Sequence, residues 1–523
     1  MNNRLVGYLA AGALIGLLWF MLNPGQLFRP TNHAPKEPGA ETPVMPSLFK
    51  TARGENPKKP ADPAAGDFSD GGLETGSGKE VSGEKLIRFS SKEGYRKFLA
   101  LAPPGAVLGQ IDPLNSLRVK TGDWLARVLA QTGGSVSGNF FVQVPEVPLE
   151  IREKGDTLYR AVGKKALDLI GAGQVTDAWG RGVKVALLDT PTEGLDKVDG
   201  ETAGHGTAMR SLIQGNSGAA RGAAPGSELI AFPVLDQEGK GNSFGLAQAI
   251  VQAVDQGARV INMSLGSEGD SPVVRDAVAY ALGRNVVLVA AAGNEAVNRV
   301  SYPAAYDGVV AVASVDAEGN HLYFSNRGKS IDVAAPGFAV VAAWPGGKNV
   351  EVTGTSASTA LVTGAMTALL SKEPGLSGGQ AAALVVKYAD ATGLPGSTEE
   401  VGGGVVNLQR VLDRNQRGIV DVAVGGVTMK EEGNLGKITV GVQNRGTETV
   451  NSPSLEITAG SERRKFYFGS LAPGQTAAET LTFDLVRARL EGGIAAGASA
   501  EVRGDQHSEN DLWAGYFRIS KEN

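Results

Sequence analysis

The stretch from Ser356 to Leu370 reads Ser-Ala-Ser-Thr-Ala-Leu-Val-Thr-Gly-Ala-Met-Thr-Ala-Leu-Leu. It is apolar or small on nearly every face, so it predicts a helix with no side to give to water, and the chain must bury it. Gly354 and Gly364 bracket its first turns. A serine in the first turn of such a helix lies beside unpaired N–H groups and the positive end of the dipole. Both suit a reaction in which an oxyanion develops next to the serine. The same serine would also serve as an ordinary N-cap, and this window alone does not separate the two readings.

A serine hydroxyl is a weak nucleophile and needs an oriented base. Of the four histidines, His33, His205, His321 and His507, only His205 lies in a motif-like setting, Gly204-His205-Gly206-Thr207, with an apolar helical segment after it. An imidazole used as a base needs a carboxylate to hold its tautomer. Residues 183–188 predict a buried strand that runs into Asp189, and strand ends are where open α/β sheets present ligand groups. Residues 286–292 predict another, followed by Gly293 and Asn294, whose amide suits an oxyanion donor.

The order Asp189, His205, Asn294, Ser356 resembles the subtilisin-like serine proteases, the subtilases. Leu188-Asp189-Thr190, Gly204-His205-Gly206-Thr207, Ala292-Gly293-Asn294 and Gly354-Thr355-Ser356 carry the resemblance. Gly222-Ala223-Ala224-Pro225, Asn262-Met263-Ser264-Leu265-Gly266, Tyr302-Pro303-Ala304 and Phe324-Ser325-Asn326 support it. The resemblance covers residues 166–414 and implies a serine endopeptidase with Asp189, His205 and Ser356 as triad and Asn294 as oxyanion donor. It implies Ser264, Leu265 and Gly266 as one substrate-binding edge, Ala291, Ala292 and Gly293 as a second wall, and an apolar residue before the cut bond. The departures are Pro191 after Asp-Thr, Ala208 for a second histidine, Ala357 for methionine and Ala360 for proline. The sixteen positions from Asp189 to His205 also imply a trimmed loop. None removes a reacting group.

The chain has 523 residues, enough for three or four units, and a formal net charge of −5, which gives no case for nucleic acid. It has no cysteine, which excludes disulfides, thiolate metal sites and a cysteine nucleophile. Residues 5–22 carry no charge and are long enough to span a bilayer, with Tyr8 and Trp19 near the ends. A cleaved signal peptide competes with this reading. The exit, Asn23-Pro24-Gly25-Gln26, has no small-x-small site, so residues 1–22 are expected to be an anchor. Residues 23–83 are rich in Pro, Gly, Ser and charge and read as a disordered linker.

Residues 84–145 predict strand, helix, two strands about Asp112-Pro113, helix, and a last strand over 139–144. This β-α-β-β-α-β order is the ferredoxin-like α+β motif, and before a protease it resembles an inhibitory propeptide. An unrelated small α+β domain is the alternative. A helix is expected around 159–170. Within 146–414, apolar strands alternate with helices, which predicts an α/β, subtilisin-like doubly wound parallel sheet. Residues 415–523 switch to about seven short strands, an all-β Ig-like sandwich resembling CARDB domains.

The expected function is therefore a membrane-anchored, extracytoplasmic serine endopeptidase. Its expected partners are a peptide substrate, its own propeptide-like domain as inhibitor, and the membrane. No cofactor is expected. Asp196, Asp199 and Glu201 could hold a structural calcium, but they read first as solvated surface charge. A protease-fold binding protein that no longer cleaves is the alternative.

Overall fold

The computed structural model describes residues 79–192, 202–215 and 220–519. The expected anchor, most of the linker, His33, Asp196, Asp199 and Glu201 lie outside them. Among the described residues no helix is long and apolar enough to cross a membrane.

The N-terminal part has strands β1 (Glu84–Arg88), β2 (Val107–Ile111), β3 (Ser116–Lys120) and β4 (Ser135–Ser137), with helices α1 (Lys92–Leu101) and α2 (Trp124–Thr132). The strand order is β2-β3-β1-β4. Its core is aromatic, with Phe89, Tyr95 and Phe98 buried and Trp124 packed on Phe98. The expected last strand over 139–144 does not join this sheet. Gly133 and Gly134 take positive φ after α2, so the chain turns early and residues 135–137 pair with β1 instead. Strand β5 (Phe141–Gln143) then leaves the domain and pairs with β8 (Lys240–Asn242). Residues 79–81, expected to belong to the linker, are also tied down: Phe141 N donates to Lys79 O at 2.9 Å and Val81 N to Asn139 O at 2.7 Å.

The central part is an all-parallel six-stranded sheet in the order β12-β11-β10-β9-β6-β7. The strands are β6 (Lys184–Asp189), β7 (Glu228–Pro233), β9 (Val260–Met263), β10 (Val287–Ala291), β11 (Val309–Val315) and β12 (Val333–Pro336). The runs of β6, β9, β10, β11 and β12 are buried almost throughout, as a covered parallel sheet requires, while the edge strand β7 is only half-buried. Ala186 and Leu188 point into one core, and Val185 and Leu187 into the other. One face is covered by α5 (Ser243–Asp255) and α6 (Pro272–Leu282). The other is covered by α4 (His205–Gln214), α7 (Thr355–Lys372) and α8 (Gly378–Lys387).

Helix α7 is the expected buried helix: every residue from Thr355 to Leu370 is buried. A Cβ at Gly364 would lie 3.0 Å from Ala223 Cβ, so the glycine sets the close approach there. The helix expected around 159–170 is broken: α3 (Leu149–Leu158) ends at Tyr159, which is extended, and Gly163 has φ +56.

The C-terminal part is β-rich. One sheet pairs Val422–Glu432, Leu435–Asn444 and Thr476–Asp484; another pairs Glu462–Tyr467, Ser454–Ala459, Gly493–Glu501 and Leu512–Arg518. Ile438, Val440 and Val442 of the first share a core with Leu455, Ile457 and Ala498 of the second.

Candidate active site

The sheet changes direction between β6 and β9, because the chain goes first to β7 and then back across β6. The carboxyl ends of strands at such a switch face an open crevice. Asp189 ends β6 and is fully buried. Its Oδ1 lies 2.7 Å from His205 Nδ1 and accepts Thr190 N at 2.8 Å. His205 begins α4, and Gly206 N donates to Thr190 Oγ1 at 2.9 Å, which ties the start of that helix to the end of β6. A Cβ at Gly206 would meet Thr190 O at 2.3 Å, so only glycine allows this approach. A carboxylate at Nδ1 leaves Nε2 free to act as a base, and Nε2 is buried with no partner among the described residues.

Ser356 stands in the first turn of α7 and is buried. Its Oγ donates to Ser264 O at 3.3 Å, and Ser264 Oγ donates back to Ser356 O at 3.0 Å. Asn294 follows β10, and its Oδ1 accepts both Thr355 N at 3.1 Å and Thr355 Oγ1 at 2.9 Å. With its oxygen used on Thr355, the amide turns Nδ2 outward, and Nδ2 donates to Pro145 O at 2.9 Å. Four groups suited to acyl transfer therefore meet at one end of the sheet, and the chain's own residue 145 offers them a carbonyl.

The approach to that carbonyl is an added strand. Gln143 N donates to Gly266 O at 2.9 Å, and Gly266 N returns the bond to Gln143 O at 2.8 Å. On the other side β5 pairs with β8, and Val144 N donates to Gly239 O at 3.0 Å. The segment is thus held between two edges, as peptides are held by strand addition. Val142 is buried with Leu235, Phe244 and Leu265 in one core, and Phe140 is buried beside Gly269. Phe141 is 43% exposed, because strand alternation turns it away.

A family model described as the subtilase family matches residues 180–404. Subtilisin BL of Lederbergia lenta is 36% identical over 246 residues, which is 44% of this chain and 90% of that protein. The chain belongs to the subtilase family. Thermitase of Thermoactinomyces vulgaris is 36% identical over 215 residues, 36% of this chain and 77% of that protein. The solved self-cleaved protease domain of PatA is 28% identical, with a TM-score of 0.40 over 45% of this chain and 97% of that one. On the family match and the 36% identity to subtilisin BL, the central part is a subtilisin-like α/β fold, and the protein is a subtilisin-like serine peptidase.

In this subtilase the sequence brought forward Asp189, His205, Asn294, Ser356, Ser264, Leu265 and Gly266, and all of them lie around the crevice. Ala291 and Ala292 are fully buried, and Ala292 O is taken by Ser301 N at 2.9 Å and Asn326 Nδ2 at 3.0 Å. Gly293 O accepts Asn326 N at 3.0 Å. The strand edge opposite Gly266 is Lys240–Asn242, which the sequence reading missed. Its signal was the turn Asp236-Gln237-Glu238-Gly239 before a short polar strand. Thr355 was missed as well, because its partner lies 61 positions away. Among the described residues no group of three or more His, Cys, Asp or Glu side chains is placed to hold a metal ion.

Proposed function

We propose that this subtilase is a self-inhibited serine endopeptidase. Ser356 attacks a peptide carbonyl while His205 takes its proton and returns it to the leaving amine. Asp189 holds the imidazole, and Asn294 with the Ser356 N–H stabilises the oxyanion. The observation that carries the reading is the Pro145 carbonyl, held by Asn294 Nδ2 at 2.9 Å at the end of a segment paired with Gly266.

Residues 84–145 act as an inhibitory domain of the ferredoxin-like class, supported by the strand order β2-β3-β1-β4 and two helices. Residues 146–414 are the catalytic domain. Residues 415–523 act as an Ig-like, CARDB-like sandwich, supported by two antiparallel sheets sharing one core. Residues 1–22 anchor the chain and the stretch after them, up to about residue 78, spaces the enzyme from an extracytoplasmic membrane face. This part of the reading rests on the uncharged run 5–22 and the polar, Pro- and Gly-rich stretch after it.

Fluorophosphonate labelling tests the central claim. The label should enter the wild-type chain once limited proteolysis has released the N-terminal domain, and should not enter Ser356→Ala under the same treatment. A wild-type chain that stays unlabelled before and after release would instead be a binding protein on a protease fold.

A further inference from the structure

Residues 139–147 cross the crevice uninterrupted, and the residue at the oxyanion donor is a proline. In an antiparallel pair, a step of two residues forward on one strand meets two residues back on the other. Gln143 faces Gly266 and exchanges both hydrogen bonds with it, so position 145 faces Ser264. An ordinary residue there would donate its N–H to Ser264 O. Pro145 has no N–H to give. Ser264 is fully buried, and its carbonyl takes the Ser356 hydroxyl at 3.3 Å instead. That hydroxyl is the group whose proton must go to His205 Nε2, and Nε2 has no partner among the described residues.

We infer that Pro145 is the residue that makes self-cleavage of the 145–146 bond slow, and so keeps the N-terminal domain attached as a lasting inhibitor. The inference rests on the proposed roles of Ser356 and His205. In the step concerned, Ser356 Oγ bonds to the Pro145 carbonyl carbon and the C–N bond to Glu146 breaks. The hydroxyl proton passes through His205 to the Glu146 nitrogen, which leaves as a free amine. Water then hydrolyses the ester on Ser356 and leaves a carboxylate at residue 145. To start, the hydroxyl must leave Ser264 O, and with proline at 145 that buried acceptor is left empty. With an N–H at 145 the acceptor is filled by the segment itself, and the hydroxyl is free to face Nε2. An unfilled buried acceptor in the reacting state corresponds to about tenfold to a hundredfold in rate.

Three variants of the full chain test this: Pro145→Ala, Pro148→Ala and Ser356→Ala, with the cut followed by gel and the new N-terminus read by sequencing. Pro145→Ala should be cut between 145 and 146 at least tenfold faster than wild type. Pro148→Ala, which changes a neighbouring proline at the start of α3 without supplying the missing N–H, should keep the wild-type rate. Equal rates for Pro145→Ala and wild type overturn the inference. So does equal acceleration in Pro148→Ala, which would assign the effect to chain stiffness. Pro145→Ala combined with Ser356→Ala should stay intact. A cut there in the absence of Ser356 would sink the underlying assignment of the nucleophile, whereas a failure confined to the rate comparison would sink only the role of Pro145.

Discussion

Asn294 has two faces with different jobs. Its oxygen is used by Thr355 N and Oγ1, and its nitrogen is thereby aimed at the carbonyl in the crevice. Asn294→Ala should lower kcat by about 10²–10³ with little change in KM. Thr355→Val removes only the hydroxyl that fixes the amide, so it should lower kcat by about tenfold, and a change confined to KM would end that role. Ser356→Ala and His205→Ala should each cost several orders of magnitude on the released enzyme, and the double change should add little, because the members act as a unit. Asp189, His205, Asn294 and Ser356 were legible because each follows an apolar strand or begins a helix. Thr355 sits in the same motif as Ser356, yet its role needs the folded distance to residue 294, which no local pattern carries. His321 was set aside at the sequence level and is the other titratable residue of note. It is largely buried with neither ring nitrogen bonded among the described residues, and its pKa is pushed down from 6.5 to about 3, first by burial and then by Arg327. As pH falls below about 6.5 the unfolded chain takes up a proton that the folded state refuses, so stability drops as pH approaches about 3. Melting temperatures between about pH 7 and pH 4 should therefore fall less in His321→Leu than in wild type. Parallel losses in the two proteins would count against this.

Most elements were readable from periodicity alone, since mostly apolar runs of four to seven residues between helices leave little choice but a covered parallel sheet. The pairing of β5 was not. Residues 139–144 look like a strand of the N-terminal domain because they follow its second helix, and nothing local says that their partner is β8, a hundred positions away. The residue that commits β5 to the catalytic domain is Asn139. Its side chain is fully buried, and its Oδ1 accepts Ser243 Oγ at 3.1 Å and Phe244 N at 3.2 Å at the start of α5. Its Nδ2 donates to Glu84 Oε2 at 2.8 Å, and the Arg118 guanidinium holds the Glu84 carboxyl below its ordinary range. One amide thus joins the first strand of the N-terminal domain to a helix terminus of the central part, supplying an acceptor that the helix's own backbone lacks. Asn139→Ala removes it and leaves those donors buried. Once the 145–146 bond is cut, the N-terminal domain of this variant should dissociate about tenfold faster or more, read as quicker recovery of activity after dilution. Unchanged recovery would mean that the paired edges alone hold the domain.

At the scale of the whole molecule, the order of units was legible because composition changes at each border, whereas the contacts between units were not. The anchor is an expectation from the uncharged run 5–22: the full chain should stay with membranes through a carbonate wash, and a chain beginning at Asn23 should be soluble. A full chain that washes off would favour the signal-peptide alternative. The join between catalytic and C-terminal parts was not legible, because it is made by polar residues far apart in the sequence. Arg410 Nη1 donates to Tyr388 O at 3.1 Å, Ala389 O at 2.8 Å and Asp390 Oδ1 at 2.9 Å, while its Nε donates to Arg445 O at 3.1 Å across the border. Asp390 Oδ2 also faces Arg445 Nη1 at 3.5 Å, and Gln443 Oε1 accepts Ala391 N at 3.0 Å. Gly393 and Gly441 allow the backbones to touch: a Cβ at Gly393 would lie 3.2 Å from Gly441 Cα. Burial pushes the Arg410 value down and Asp390 pulls it back up, so the guanidinium is held by its partners against loss of water. Arg410→Met removes the Arg410 pair and leaves Asp390 with Arg445 and the Asn407 amide, which should cost about 3 kcal/mol. Calorimetry should show the C-terminal part melting apart from the enzyme in this variant and together with it in wild type. Arg410→Met with Asp390→Leu should recover part of the loss, because the charge left buried by the single change is then gone. If the single variant melts as wild type does, the shared backbone contacts at Gly393 and Gly441 hold the two parts together without the ion pair.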